Sequence, residues 1–82
     1  MGRLRYTGLN RTSEKLKVTG VLVDPSGATW VVIIQDSAGN TVFSAKGADA
    51  VSRFYPINDN SEWDGCNVTT ATALTAVYIY TD

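Results

Sequence analysis

From Leu16 onward the chain alternates in the two-residue rhythm of β-strands. Leu16-Lys17-Val18-Thr19-Gly20-Val21-Leu22-Val23 is rich in β-branched residues and predicts a first strand. Asp24-Pro25-Ser26-Gly27 stops it, because Asp first, Pro second and Gly fourth fit a type I turn. Gly27 at its end suits the positive φ of a bulge that matches strand twist. Residues 28–35 predict a second strand, Asp36-Ser37-Ala38-Gly39 repeats the turn chemistry, and 40–46 returns. The expectation is a three-stranded meander. The second half is less regular. Residues 47–50 read as a loop or one helical turn, 51–57 as a short strand ended near Pro56, and 58–65 as a polar loop holding Trp63. Residues 66–70 and 72–81 close the chain as two strands or one long bent strand. No stretch shows helical periodicity. The pattern predicts an all-β fold, a small antiparallel β-sandwich or barrel. A basic N-terminal arm (1–15) precedes a single β domain (16–82).

A half-solvated antiparallel strand alternates apolar with polar residues. Two segments here do not. Trp30, Val32 and Ile34 share one face of their strand, and Val31 and Ile33 share the other. On the last strand Val77 and Ile79 lie on one side, Tyr78 and Tyr80 on the other. A chain of 82 residues buries only about 60% of its unfolded surface, so two double-sided strands are hard to cover alone. The expectation is therefore a homo-oligomer, trimer before dimer, with Trp30, Val32, Ile34, Tyr78 and Tyr80 at the interface. The alternative is that the second sheet or the N-terminal segment covers these faces within one chain.

Charge adds a second candidate surface. The formal net charge is −1, but residues 1–17 carry +4 and residues 18–82 carry −5. Arg3, Arg5, Tyr6 and Arg11 are the candidate residues of an arm that docks on an acidic protein neighbour. A nucleic-acid arm fits less well, because the acidic body repels phosphate.

Candidate chemistry is sparse. The chain has no histidine and one cysteine, Cys66, so a Ser or Cys nucleophile lacks its usual base and zinc lacks imidazole and thiolate partners. The glycines are spaced as turns, not as a phosphate loop. One cysteine closes no intrachain disulfide, which suits a reducing compartment. Residues 1–10 contain no apolar run of signal-peptide length and no run spans a membrane, so the Asn10 and Asn67 sequons read as accidental. The candidate ligand loop holds Asp59, Glu62, Trp63 and Asp64. Its acids fail as a calcium loop: counted from Asn60, the twelfth position is Ala71 where a bidentate Glu is needed. The loop leaves one alternative function, a monomeric module that stacks a sugar or other ligand on Trp63. The expectation is a protein with no enzymatic activity, cofactor or metal.

In overall style the chain resembles the small all-β decoration (cement) proteins and other structural virion proteins of tailed bacteriophages. The segments that carry the likeness are the start GRLRYTGLNRTSEKLK, the meander VLVDPSGATWVVIIQDSAGNTVFSAKG and the ending NVTTATALTAVYIYTD. The resemblance implies a virion component assembled in the host cytoplasm. It implies an oligomer that binds major capsid subunits and ties them together. It carries over no residue-level site and leaves tail or neck placement open.

Overall fold

The computed structural model describes residues 2–6, 11–57 and 62–81, with 2–5 and 11–13 described by backbone. These residues form β1 (Gly2–Tyr6), β2 (Arg11–Pro25), β3 (Trp30–Gln35), β4 (Thr41–Gly47), β5 (Arg53–Pro56), β6 (Glu62–Thr72) and β7 (Leu74–Thr81). All pairings are antiparallel. The spatial order is β1-β7-β2-β6-β3-β4, with β5 paired to β2, and the sheet curls into a half-barrel. The all-β antiparallel architecture is thus the one the alternation predicts.

The curl comes from two long strands whose two halves lie along different neighbours. Positions 11–17 of β2 pair with β6, while 18–25 pair with β7. The register slips between Val18 and Gly20, where one role passes to the other. β6 pairs with β2 through 62–67 and with β3 through 67–72. Bulges bend a strand and raise its twist. β6 has register slips on both sides, and Gly65 stands at a φ of 92°. Two wings result: a β7 wing (β1, β7, the second half of β2, and β5) and a β3 wing (the first half of β2, β6, β3 and β4).

Only half of the expected meander forms. β3 and β4 are a hairpin, closed by the Asp36–Gly39 turn. Asp36 Oδ1 accepts from the Ala38 and Asn40 amides at 3.0 and 2.9 Å, and Gly39 takes a φ of 87°. Those donors, Asn40 foremost, hold the Asp36 carboxyl below its ordinary value. The Asp24-Pro25-Ser26-Gly27 stretch closes no hairpin, because β6 lies between β2 and β3. β2 instead runs through Pro25, and the chain crosses between wings. The Ser26 amide donates to the Ala73 carbonyl at 2.8 Å, and Thr29, not Gly27, takes the positive φ of 57°. Ala73, at a φ of 55°, turns the corner from β6 into β7.

The expected arm is part of the sheet. β1 lies in register along β7, from Gly2 opposite Thr81 to Tyr6 opposite Val77, and residues 11–15 open β2.

The core lies between the wings. Val18, Val21 and Val23 of β2 and Val77 and Ile79 of β7 pack in one cluster with Trp63, Cys66 and Val68 of β6 and Trp30, Val32 and Ile34 of β3. Trp30, Val32 and Ile34 are each 0% exposed in the single chain. That overturns their assignment to a subunit interface: the chain's own β7 wing covers this face. Trp30 packs flat because its register partner is Gly47, where a Cβ would lie 2.5 Å from Nε1.

Candidate functional site

The other expected site residues separate on folding. Tyr6 is 7% exposed, so it anchors β1 in the core and is not a docking residue. Its hydroxyl hydrogen-bonds the Cys66 thiol, and burial first, then the thiol, pushes the phenol well above its ordinary range. Burial likewise pushes Cys66 up to about 11. A thiol that stays protonated at neutral pH is no nucleophile. Arg11 stands opposite Asn67 at the start of β2, away from positions 3 and 5.

The ligand loop does not assemble either. Asp59 lies outside the described residues. Trp63 is a strand residue, 4% exposed, opposite Leu16. A sugar platform needs an exposed ring face, so this tryptophan is excluded from that role. Gly65 accounts for this: at a φ of 92°, opposite the two-residue bulge of β2 at 13–14, it breaks the alternation, and Trp63, Cys66 and Val68 all lie inside. Glu62 and Asp64 are exposed and stand opposite Lys17 and Lys15, a cross-strand charge pattern that supports pairing. Among the described residues no three His, Cys, Asp or Glu side chains gather as metal ligands.

What the fold does assemble is an aromatic face on the outside of the β7 wing. β2 brings Leu22, β5 brings Phe54, and β7 brings Tyr78 and Tyr80. Two rows cross the four strands in register. One reads Arg5, Tyr78, Leu22, Phe54, and the other Arg3, Tyr80, Gly20, Pro56. Phe54 is 53% exposed, a large apolar ring left in water. It meets Tyr80 edge-to-face at 5.8 Å between centroids and 73° between planes, the geometry aromatic quadrupoles favour. Gly20 makes this meeting possible, since a Cβ there would overlap the tip of the Phe54 ring. A second ring pair, Phe43 with Tyr55 at 5.4 Å, closes the inner side between β4 and β5.

The sequence reading puts Tyr78 and Tyr80 on one strand face but misses Leu22, Phe54 and Gly20, which lie beside them. Nothing local marks them, because the face depends on β2 pairing with strands that begin more than thirty residues later. Gly20 offers a direct check. Gly20→Ala is expected to leave thermal stability within about 1 kcal/mol of wild type, since the obstructing ring is exposed and swings aside. The Phe54–Tyr80 contact is expected to vanish, read as loss of the ring-to-ring nuclear Overhauser effects. Retained contacts would show that the ring does not rest on Gly20.

An open groove also runs along the β3–β4 hairpin, lined by Val31, Ile33, Ser44 and Lys46. It holds no convergent acid, base or nucleophile. No family model matches the chain, and no curated protein or solved structure is similar to it.

Proposed function

We propose that the chain is a non-enzymatic structural protein that docks onto other protein subunits through the outer face of the β7 wing. The observation that carries this reading is Phe54, 53% exposed at the β5 side of an apolar and aromatic cluster on an ordered sheet. Contiguous exposed apolar surface on a small domain marks an interaction site, and aromatic residues are enriched in such sites. Positions Arg3 and Arg5 on β1 border the cluster. Arginine beside tyrosine is the composition of a protein contact that is dry at its centre and charged at its rim. In the capsid decoration proteins that the chain resembles, a role of this kind ties neighbouring shell subunits together. The virion location and a major capsid subunit as partner belong to this proposal. Nucleic acid is the poorer fit, since the rest of the body carries −5.

The test is fractionation. In the cells or particles that contain it, the protein is expected in the large-particle fraction of a sucrose gradient. Phe54→Asp is expected to move to the light fractions with its melting temperature unchanged. Wild-type protein confined to the light fractions would overturn the proposal.

A further inference from the structure

We infer that the free edge of β4 takes an extended, acidic strand from another protein, added antiparallel to the β3 wing. The site lies on the opposite wing from the aromatic face and stands independently of it. The sheet curls into a half-barrel and stops at β4, which pairs with β3 alone. In an antiparallel pair every second residue turns its N–H and C=O away from the partner, so β4 offers a row of open donors and acceptors. An extended chain is the shape that satisfies such a row.

β1, β4 and β5 each pair with a single strand, but their open sides are not equally guarded. β1 carries arginine at positions 3 and 5. β5 is four residues long and ends on Pro56. Charge, proline and short length are what keep an edge from pairing. β4 is seven residues long, has no proline, and its one charge is Lys46.

The core is also half-covered along this edge. Trp30, Val32 and Ile34 of β3 are each 0% exposed, whereas Ala45 and Phe43, which stand opposite Val32 and Ile34, are only partly buried. Tyr55, which Phe43 meets edge-to-face, is partly buried as well. On the outer face Ser44 and Lys46 stand opposite Ile33 and Val31. A strand laid beside β4 therefore meets an apolar row inside, at Phe43 and Ala45, and a polar row outside, at Ser44 and Lys46. Alternating apolar and polar residues fit both rows. Lys46 has no ion-pair partner among the described residues, and a carboxylate directly across from it is favourable. That charge selects the occupant. A second copy of β4, TVFSAKG, brings no carboxylate, so self-pairing leaves Lys46 unanswered, and an acidic partner strand answers it.

The probe is a short capped peptide that alternates valine with threonine and carries one glutamate in place of a central threonine. Titrated into the isotope-labelled full chain, it is expected to shift the β4 amide resonances and slow their hydrogen exchange, with β1 and β5 unchanged. The same peptide with lysine in place of glutamate is expected to bind about fivefold more weakly. Lys46→Glu is expected to reverse that preference with its melting temperature unchanged, since position 46 is exposed. The reversal separates strand pairing at this edge from general stickiness. The peptide with every amide methylated has no donors and is expected not to bind. A glutamate peptide that leaves β4 unshifted, equal binding of the two peptides, a preference that Lys46→Glu does not reverse, or binding by the methylated peptide would overturn the inference. Shifts of the β4 amides on concentrating the chain alone would give the edge to a second copy and overturn it too.

Discussion

Trp30→Ala is expected to lower unfolding free energy by about 3–5 kcal/mol. Domains have about 0.05–0.15 kcal/mol of stability per residue, which is about 4–12 kcal/mol for 82 residues, so this loss is a large fraction of the whole. Trp30 is among the largest fully buried side chains and lies on β3, between β6 and β4. Truncation opens a cavity where Val32, Ile34 and the β7 wing converge. Gly47→Ala approaches the same site from the opposite side. Its Cβ would meet Nε1, Cε2 and Cζ2 of Trp30 at 2.5, 2.6 and 2.7 Å. A ring with 0% exposure has nowhere to move, so overpacking is expected to cost about 1–3 kcal/mol. Trp30→Phe is expected to be the mildest change. The buried Nε1 has no hydrogen-bond partner among the described residues, and phenylalanine removes that unsatisfied donor while keeping most of the volume. Urea unfolding followed by Trp63 fluorescence would rank the three variants. A Trp30→Ala protein within 1 kcal/mol of wild type would remove this residue from the core.

The same tryptophan shows where reading a sequence reaches its limit. Alternation put Trp30, Val32 and Ile34 on one strand face, and that face is real. Alternation does not say what covers a face. Cover here comes from β7 and the second half of β2, which reach it because β2 pairs with β6 through 11–17 and with β7 through 18–25 and so joins the two wings. The Asp36–Gly39 turn was legible because its bonds are local, within four residues of Asp36. The similar Asp24–Gly27 stretch carries the same local signals, yet its outcome is set by β6, which inserts between the strands it was expected to join. Trp63 sits in polar sequence, and only the break in alternation at Gly65 lets it lie inside together with Cys66. The aromatic face lay furthest from view. Its defining contact, Phe54 over Gly20, joins residues 34 positions apart, and the third party, Tyr80, lies 60 positions beyond Gly20. Tyr6 departs from expectation for a related reason. Its basic neighbours suggested a free arm, whereas its ring packs into the core and its hydroxyl finds Cys66.

That last contact makes stability fall in alkali. In the folded chain Cys66 holds its proton up to about pH 11, against an ordinary 9.0. Tyr6 holds its own well above the ordinary 10.0. Both groups are neutral when protonated, so burial costs least in that form. The unfolded chain releases both protons first as pH rises. Below pH 9 the contribution of Cys66 is therefore fully present, and it is lost as pH climbs from 9 through 11. The loss from Cys66 alone is on the order of 2–3 kcal/mol by pH 11, and Tyr6 adds to the slope above pH 10. Because Tyr6 ties β1 to β6, deprotonation is expected to release the β1 edge as well. Urea midpoints measured from pH 7 to pH 11.5 would show the decline for wild type. The double variant Tyr6→Phe, Cys66→Ala is expected to be less stable at pH 7, from the cavity and the lost bond, but much flatter above pH 9. A wild-type midpoint constant to pH 11, or a variant that declines as steeply, would mean that neither group carries a raised pKa.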